Sequence, residues 1–166
     1  MIPAARKTSV KIRGFTLVEI MVVVVIIGLL AAIGMPTFRQ VTMRSKATAL
    51  INDIRQFTTA LQTFSHQNGR WPADGLPGEI PAEMSDAISV VFTKPTPIGG
   101  QYDWDYDVSP GGIPARAAIT VLTANGFTMT NDLGLVELID SMMDDGNLTT
   151  GNVQYNAGSL VFIIER

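Results

Sequence analysis

Hydrophobic residues dominate one stretch near the start of the chain. From Ile20 to Phe38, nineteen consecutive residues carry no charge. As a helix they would span about 28 Å, close to the ~30 Å hydrocarbon core of a bilayer. This run is longer than the roughly 7–15 residues of a signal-peptide core. Hydropathy alone therefore predicts a membrane helix, and it leaves open a plain single-pass anchor or a secretory signal cut near Ala31–Gly34.

A second pattern continues the predicted helix into a polar region. Apolar residues recur there at steps of four and three positions, which places them on one helical face. They are Leu50, Ile54, Phe57, Leu61 and Phe64. The pair Asn68-Gly69, followed by Pro72, predicts the end of the helix. We expect one helix from Phe15 to about Gln67, its later half covered by a small sheet. A coiled-coil seam is the weaker alternative because the pattern is short.

The remaining chain contains turn-rich and strand-like segments. Residues 69–114 hold seven of the nine prolines and seven of the fifteen glycines, so we expect a loop with a short helix near Pro81–Ile88. Predicted strands are Tyr102–Tyr106, Ala117–Leu122 and Ser159–Ile164, the last after a turn at residues 156–158. A short helix reaching Met143 is predicted after a Thr130/Asn131 cap. These elements predict an α+β fold, with a long N-terminal helix packed on a small antiparallel sheet.

Charge is distributed unevenly along the chain. The formal net charge is -3, yet the first fourteen residues hold four basic side chains and no acid: Arg6, Lys7, Lys11 and Arg13. From residue 15 onward there are 8 basic and 15 acidic residues, a net charge of -7. An acidic body argues against nucleic-acid binding, which needs a basic patch. A basic segment before an apolar run marks the cytoplasmic side of a membrane.

One acidic residue interrupts the apolar segment. Glu19 lies next to the uncharged run, and a carboxylate at the centre of a membrane helix costs roughly 2.5–3.5 kcal/mol, less near an interface. A plain anchor gains nothing from that cost, so the residue indicates a function and requires a partner. A free α-amino group created by cleavage nearby would be a suitable partner.

The segment KIRGFTLVE at residues 11–19, followed by an apolar helix, resembles the N-terminus of type IV prepilins and type II secretion pseudopilins. The resemblance covers about 25 residues. It implies cleavage between Gly14 and Phe15 by a prepilin peptidase, and N-methylation of Phe15. It also implies that Glu19 pairs with the N-terminal amine of a neighbouring subunit. The chain then divides into a cleaved basic leader (1–14), a transmembrane assembly helix (15–38) and a pilin-like head (39–166).

The resemblance further implies partners and a location. The partners are a prepilin peptidase and methylase, other copies of the chain and related pilins, an inner-membrane assembly platform and an ATPase. The expected location is the bacterial inner membrane, crossed once, with the head in the periplasm and later in a filament. Helix kinking or unwinding is expected at Gly28, Gly34 and Pro36, because proline removes a backbone donor and family members often lose helicity there.

Within this class, the sequence favours a pseudopilin of the major type. The chain contains no cysteine, and many adhesive pilins have a C-terminal disulfide loop. A type IV pilin proper or a minor pilin is the close alternative. The rival from another class is a periplasmic enzyme or binding domain on an uncut anchor.

Candidate chemical sites elsewhere are weak. Asp103, Asp105 and Asp107 alternate along a strand and are interpreted as a solvated face, while residues 144–147 (DDGN) are interpreted as a tight turn. Major pseudopilins often bind Ca²⁺ in a C-terminal loop, so calcium stays open, but no ligand positions match and we assign no metal and no cofactor. The single histidine, His66, is expected to cap a helix, and Trp71 and Trp104 are expected to pack. The sequence has no catalytic constellation, which predicts that the protein is not an enzyme.

Overall fold

The computed structural model describes residues 14–84 and 87–166, with the backbone alone at 33–37. Its main elements are two helices, α1 (Leu17–Asn68) and α2 (Leu133–Met143), and four strands, β1 (Gln101–Tyr106), β2 (Ala117–Leu122), β3 (Val153–Asn156) and β4 (Ser159–Glu165). Three short 3-10 turns lie in the loops, at Ala82–Met84, Val90–Thr93 and Pro110–Gly112. The chain divides into two units, Met1–Gln40 and Val41–Arg166, which we call the N-terminal unit and the head.

The head is built around the later half of α1. The apolar face predicted from the sequence is buried there, with Leu50, Ile54, Phe57 and Leu61 each at most 2% exposed. These side chains share one core with residues of the sheet and of α2. The rings of Phe57 and Tyr102 meet edge to face at 4.9 Å, which joins the helix to β1. The predicted cover of the helix by a small sheet is confirmed.

The four strands form one antiparallel sheet in the order β1-β2-β4-β3. The central strand β2 pairs Ile119 with Trp104 on one side and with Phe162 on the other. Strands β3 and β4 form a hairpin whose turn residues Ala157 and Gly158 have φ of 49° and 79°. Two positive φ angles are typical of a type I′ turn, whose twist matches that of the strands. The three predicted strands and this turn are confirmed.

Two local predictions need correction. The cap of α2 is Asp132, whose carboxylate accepts a hydrogen bond from the Leu135 N–H at 3.4 Å. The hydroxyl of Thr130 instead accepts from the Asp132 N–H, so it orders the turn before the helix. Near Pro81, the described residues form only a 3-10 turn, Ala82–Met84, and residues 85 and 86 of the predicted helix lie outside the described part.

The start of the loop after α1 is fastened to the sheet at Trp71 and Pro72. Trp71 and Trp104 pack with their rings 5.6 Å apart, and the Trp104 indole donates to the Pro72 carbonyl at 3.2 Å. The Trp71 indole donates to the Glu165 carboxylate at 2.5 Å. Both tryptophans therefore pack as predicted, and each also satisfies its polar atom with a hydrogen bond.

The outer face of the sheet is covered, which contradicts the expectation of a solvated acidic face. Asp105 is 8% exposed and accepts a hydrogen bond from the Thr120 hydroxyl, while Asp103 is half-buried. The loop between β1 and β2 folds back over this face, and Ile113 in that loop joins a second small core with Ala118 of β2. Only Asp107 is exposed, and it lies beyond the end of β1.

This burial changes the acidity of the carboxyl groups on β1. Burial, then the charges of Asp105 and Asp74, raise the pKa of Asp103 to about 7. Burial likewise raises the pKa of Asp105, against a smaller lowering by the Thr120 hydroxyl. The raised pKa values therefore follow from burial first and from the charges of neighbouring carboxylates second, which a solvated strand face would not produce to this extent.

Candidate functional site

The candidate site is the start of α1, where the sequence predicts processing and assembly. Gly14 and Phe15 precede the first helical residue, Leu17, and both are exposed. The Phe15 side chain is 81% exposed. The structure therefore presents the predicted cleavage position as accessible chain ahead of a helix.

Glu19 is held at the helix start by Thr16. Its Oε2 atom accepts two hydrogen bonds from Thr16, from the backbone N–H and from the hydroxyl, each at 2.9 Å. In return the Thr16 hydroxyl accepts from the Glu19 N–H at 3.2 Å. This reciprocal pattern is a capping box, which satisfies donors that a helix N-terminus otherwise leaves unpaired. The capping role of Thr16 was not predicted from the sequence, although a threonine three residues before a glutamate is the usual signal of this motif.

After Glu19, the part of α1 that lies in the N-terminal unit exposes apolar side chains all around the helix. Every large hydrophobic residue from Leu17 to Leu30 is at least 48% exposed. Val18, Met21, Val22, Val25 and Ile26 line a shallow hollow that has no polar wall. By the hydropathy of the described residues, none of the helices qualifies as a membrane span. A surface of this kind requires a cover from outside its unit, because soluble monomers rarely expose continuous apolar patches of such size.

Comparison with known proteins agrees with these observations. Residues 10–35 match the family model described as the prokaryotic N-terminal methylation motif. The chain is 36% identical over 73 residues to a fimbrial protein, EcpC, of Eikenella corrodens, covering 44% of this chain and 48% of that protein. It is 27% identical over 103 residues to the type IV major pilin PilE1 of Neisseria gonorrhoeae, covering 62% of this chain and 56% of that protein.

The chain therefore carries the prokaryotic N-terminal methylation motif and is similar in sequence to fimbrial proteins and type IV pilins. It spans about half the length of the curated relatives it matches. Its fold also matches the structure of the major type IV pilin PilA1 from Clostridium difficile, with a TM-score of 0.51 and 14% identity, over 76% of this chain and 98% of that one. The α+β, pilin-like fold is thereby confirmed. The relatives it matches in sequence are named as fimbrial proteins and pilins.

The other residues predicted from the family pattern are placed as follows. The basic residues Arg6, Lys7, Lys11 and Arg13 lie outside the described residues. The backbone at Gly28, Gly34 and Pro36 is part of α1, which the structure assigns without interruption. Unwinding at these positions stays a prediction about the assembled filament. Cleavage, methylation and the assembly role of Glu19 also stay predictions.

The remaining candidates lie in the head. His66 is exposed in the last turn of α1, which ends at Asn68, and the N–H of the following Gly69 donates to the Ser65 carbonyl at 2.8 Å. Capping by His66 stays a prediction. Residues 144–147 form the predicted turn after α2, with the Asp145 carboxylate accepting from the Asn147 N–H at 2.8 Å. The sequence analysis did not single out Asp140, although it lies one helical turn before Asp144.

Proposed function

We propose that the chain is the precursor of a filament subunit that polymerises through its N-terminal helix. In this proposal it is inserted in the inner membrane with its basic leader in the cytoplasm. It is cut between Gly14 and Phe15, methylated on Phe15, and assembled with the head facing outward. The observation that carries the proposal is the exposed apolar start of α1 with Glu19, which lies inside the matched methylation motif of residues 10–35.

The apolar helix supplies the driving force. Fully burying one Val, Leu or Ile side chain contributes about 1.5–3 kcal/mol. More than ten such side chains are exposed between Leu17 and Leu30. Because these residues are about half to four fifths exposed, the burial still to be gained is on the order of 10–20 kcal/mol before entropy costs are subtracted. A bilayer provides the cover before assembly, and the helices of neighbouring subunits provide it afterwards.

Glu19 supplies the register of assembly. Cleavage after Gly14 would create an α-amino group on Phe15, two residues before Leu17. The Thr16 contacts hold the Glu19 carboxylate at the same end of the helix. An amine and a carboxylate attract strongly in a low-dielectric environment, where each alone is costly. Pairing of Glu19 with the Phe15 amine of a neighbour removes both costs and aligns the two helices.

The partners follow from this route. A prepilin peptidase and methylase would process the chain, and an inner-membrane platform with a cytoplasmic ATPase would assemble it with copies of itself and related pilins. Between the two filament types, we place the type IV pilus first, because the relatives with matching sequences are pilins. The type II secretion pseudopilus is second, favoured by the absence of cysteine.

The assembly role is tested with Glu19→Gln in cells that lack the wild-type chain. Glutamine keeps the capping acceptor but removes the charge, since either Glu or Gln can close a capping box. We expect the variant to be processed normally and to be reduced at least tenfold in the sheared filament fraction. The control, Thr16→Val, removes the capping hydroxyl and keeps the carboxylate, and it should still assemble. Normal assembly of Glu19→Gln would contradict the proposal.

A further inference from the structure

The loop between α2 and β3 carries a short motif that the proposed function does not use. Residues 147–149 are Asn-Leu-Thr, the acceptor motif for N-linked glycosylation, in which any residue except proline separates an asparagine from a serine or threonine. Of the seven asparagines in the chain, only Asn147 is followed in this way. Asp145 lies two positions before it, where bacterial oligosaccharyltransferases select an acidic residue. The sequence therefore matches the longer and more demanding form of the motif.

Asn147 is accessible to an enzyme. It is exposed in the turn between α2 and β3, and Gly146 and Thr149 are exposed with it. Its side-chain Nδ2 atom, the atom that such an enzyme modifies, has no hydrogen-bond partner within the described residues. The acceptor nitrogen can therefore be reached without unfolding the head.

The turn holds the acceptor side chain in place. Asn147 Oδ1 accepts hydrogen bonds from the Thr149 N–H at 3.2 Å and from the Thr149 hydroxyl at 2.8 Å. The Asn147 N–H donates to Asp145 Oδ1 at 2.8 Å. The loop is joined to β3, because the Leu148 carbonyl accepts from the Tyr155 N–H at 2.8 Å. The hydroxyl that the motif requires thus contacts the amide that the motif presents.

A groove lies beside the acceptor. It has a volume of about 360 Å³, and residues 112–114 line it together with Thr149 of the motif, Gln154, Tyr155 and Asn156. An aromatic ring can pack against the apolar face of a sugar ring, and side-chain amides can bond sugar hydroxyl groups. The Gln154 and Asn156 amide nitrogens already donate to backbone carbonyls, at 2.9 and 2.8 Å, which leaves their oxygens as acceptors. The groove therefore offers a saccharide both room and hydrogen-bonding groups.

We propose that Asn147 is the acceptor of an N-linked oligosaccharide. The donor is a lipid-linked oligosaccharide diphosphate on the outer side of the inner membrane. A bond forms between Asn147 Nδ2 and C1 of the first sugar, and the bond between that carbon and the phosphate oxygen breaks. The amide nitrogen loses one proton, and the lipid diphosphate leaves. The inference rests on the location that the proposed function gives the head, on that same side of the membrane.

The alternative is that these residues only form a turn. Asp145, Asn147 and Thr149 would then contribute nothing beyond the hydrogen bonds described above. An aspartate at position 147 would serve this purpose as well as asparagine, because the turn uses only the side-chain oxygen. The two interpretations differ in one atom, since only asparagine has the nitrogen that can be modified.

The test is the mass of the C-terminal peptide of the chain extracted from its native membrane. An aspartate-specific protease that cuts before Asp145 releases residues 145–166, which contain the motif. We expect most copies of this peptide to carry the added mass of an oligosaccharide, and fragmentation to place it on Asn147. An unmodified peptide would overturn the proposal, and so would a saccharide attached to a serine or threonine.

Matched variants separate the motif from the turn. Asn147→Asp keeps the oxygen that Thr149 contacts and removes the nitrogen, so it should lose the saccharide completely. Thr149→Val removes the hydroxyl and should also lose it, whereas Thr149→Ser keeps the motif and should retain it. Asp145→Ala should reduce the modified fraction at least tenfold. A saccharide that persists in Asn147→Asp or in Thr149→Val would overturn the assignment.

The same extract distinguishes this inference from the proposed function. An N-terminal peptide that begins at methylated Phe15, found together with an unmodified Asn147, overturns the glycosylation and leaves the filament proposal intact. An intact leader found together with a modified Asn147 contradicts the proposed processing and supports the glycosylation.

Discussion

The first and second halves of α1 have the same secondary structure and opposite surroundings. Leu30, in the N-terminal unit, is 66% exposed, whereas Leu61, in the head, is 0% exposed. The head half finds its apolar partners within the chain, on the sheet and α2. The N-terminal half has no such partners among the described residues of its unit, and the proposed function assigns it a bilayer before assembly and other subunits afterwards. Helical structure alone therefore does not show whether a segment belongs to the core. The partners that cover each half of α1 distinguish the folding role of one half from the proposed assembly role of the other.

The largest expected effect is on stability, and it is seen by making the same Leu→Ala substitution once in each half of α1. Leu61→Ala should lower the free energy of unfolding of the head by about 2–5 kcal/mol, because it leaves a cavity in the core. Leu30→Ala should change the same quantity by less than about 0.5 kcal/mol, because the residue is exposed in the isolated chain. Chemical denaturation of the detergent-solubilised chain measures both. Equal destabilisation by the two substitutions would show that the comparison is wrong.

A smaller effect is expected where a polar contact joins α1 to the sheet. The Tyr102 hydroxyl donates to Asp53 Oδ2 at 2.7 Å. Tyr102→Phe should lower the free energy of unfolding by about 1–2 kcal/mol, since a hydrogen bond to a charged group is lost while Asp53 can still reach water. Tyr155→Phe is the control, because the described residues offer its hydroxyl no hydrogen bond. If Tyr102→Phe lowered the free energy of unfolding no more than Tyr155→Phe, packing alone would join α1 to β1.

The smallest effect is a pH dependence confined to the head. In the folded chain Asp103 has a pKa of about 7, above its ordinary value of 3.8. The folded state therefore holds this proton more tightly than the unfolded state. Its contribution to stability is complete below about pH 4 and is lost as the pH rises through about 7.

Asp103→Asn removes this dependence and tests it. The difference in Tm between the variant and the wild type should increase in favour of the variant between pH 4 and pH 8. Using the difference cancels the contributions of other groups, such as Glu165, whose pKa is lowered by the Trp71 indole and, to a smaller extent, by Arg116. A difference that stays constant across this range would contradict the raised pKa.

Regular patterns in the sequence were sufficient to predict the two helices and the strands around Trp104, Ile119 and Phe162. The spacing of Leu50, Ile54 and Leu61 predicted a buried helical face, and the alternation around Trp104 predicted a strand. Both are local regularities, set by the 3.6-residue and two-residue periods of the backbone. The processing motif is equally local, because its residues are contiguous.

Contacts between distant segments could not be predicted in this way. The alternation that placed Tyr102 and Trp104 in the core also placed Asp103 and Asp105 on the opposite face, but nothing in it showed that a loop covers that face. Burial of Ile113 against Ala118 depends on how a loop rich in glycine and proline folds back. In the same way, Asp140 looked like an ordinary helical residue until the loop after α2 brought Asp144 and Asp145 beside it.

The central claim is that the mature chain begins at Phe15 and assembles through the helix that follows. It is tested most directly by the mass of the N-terminal peptide of protein extracted from its native membrane. The proposed function predicts a peptide that begins at Phe15 and carries one added methyl group. An intact leader of residues 1–14, in cells with an active prepilin peptidase, would contradict it and would favour an anchored domain whose Glu19 serves only to cap its helix.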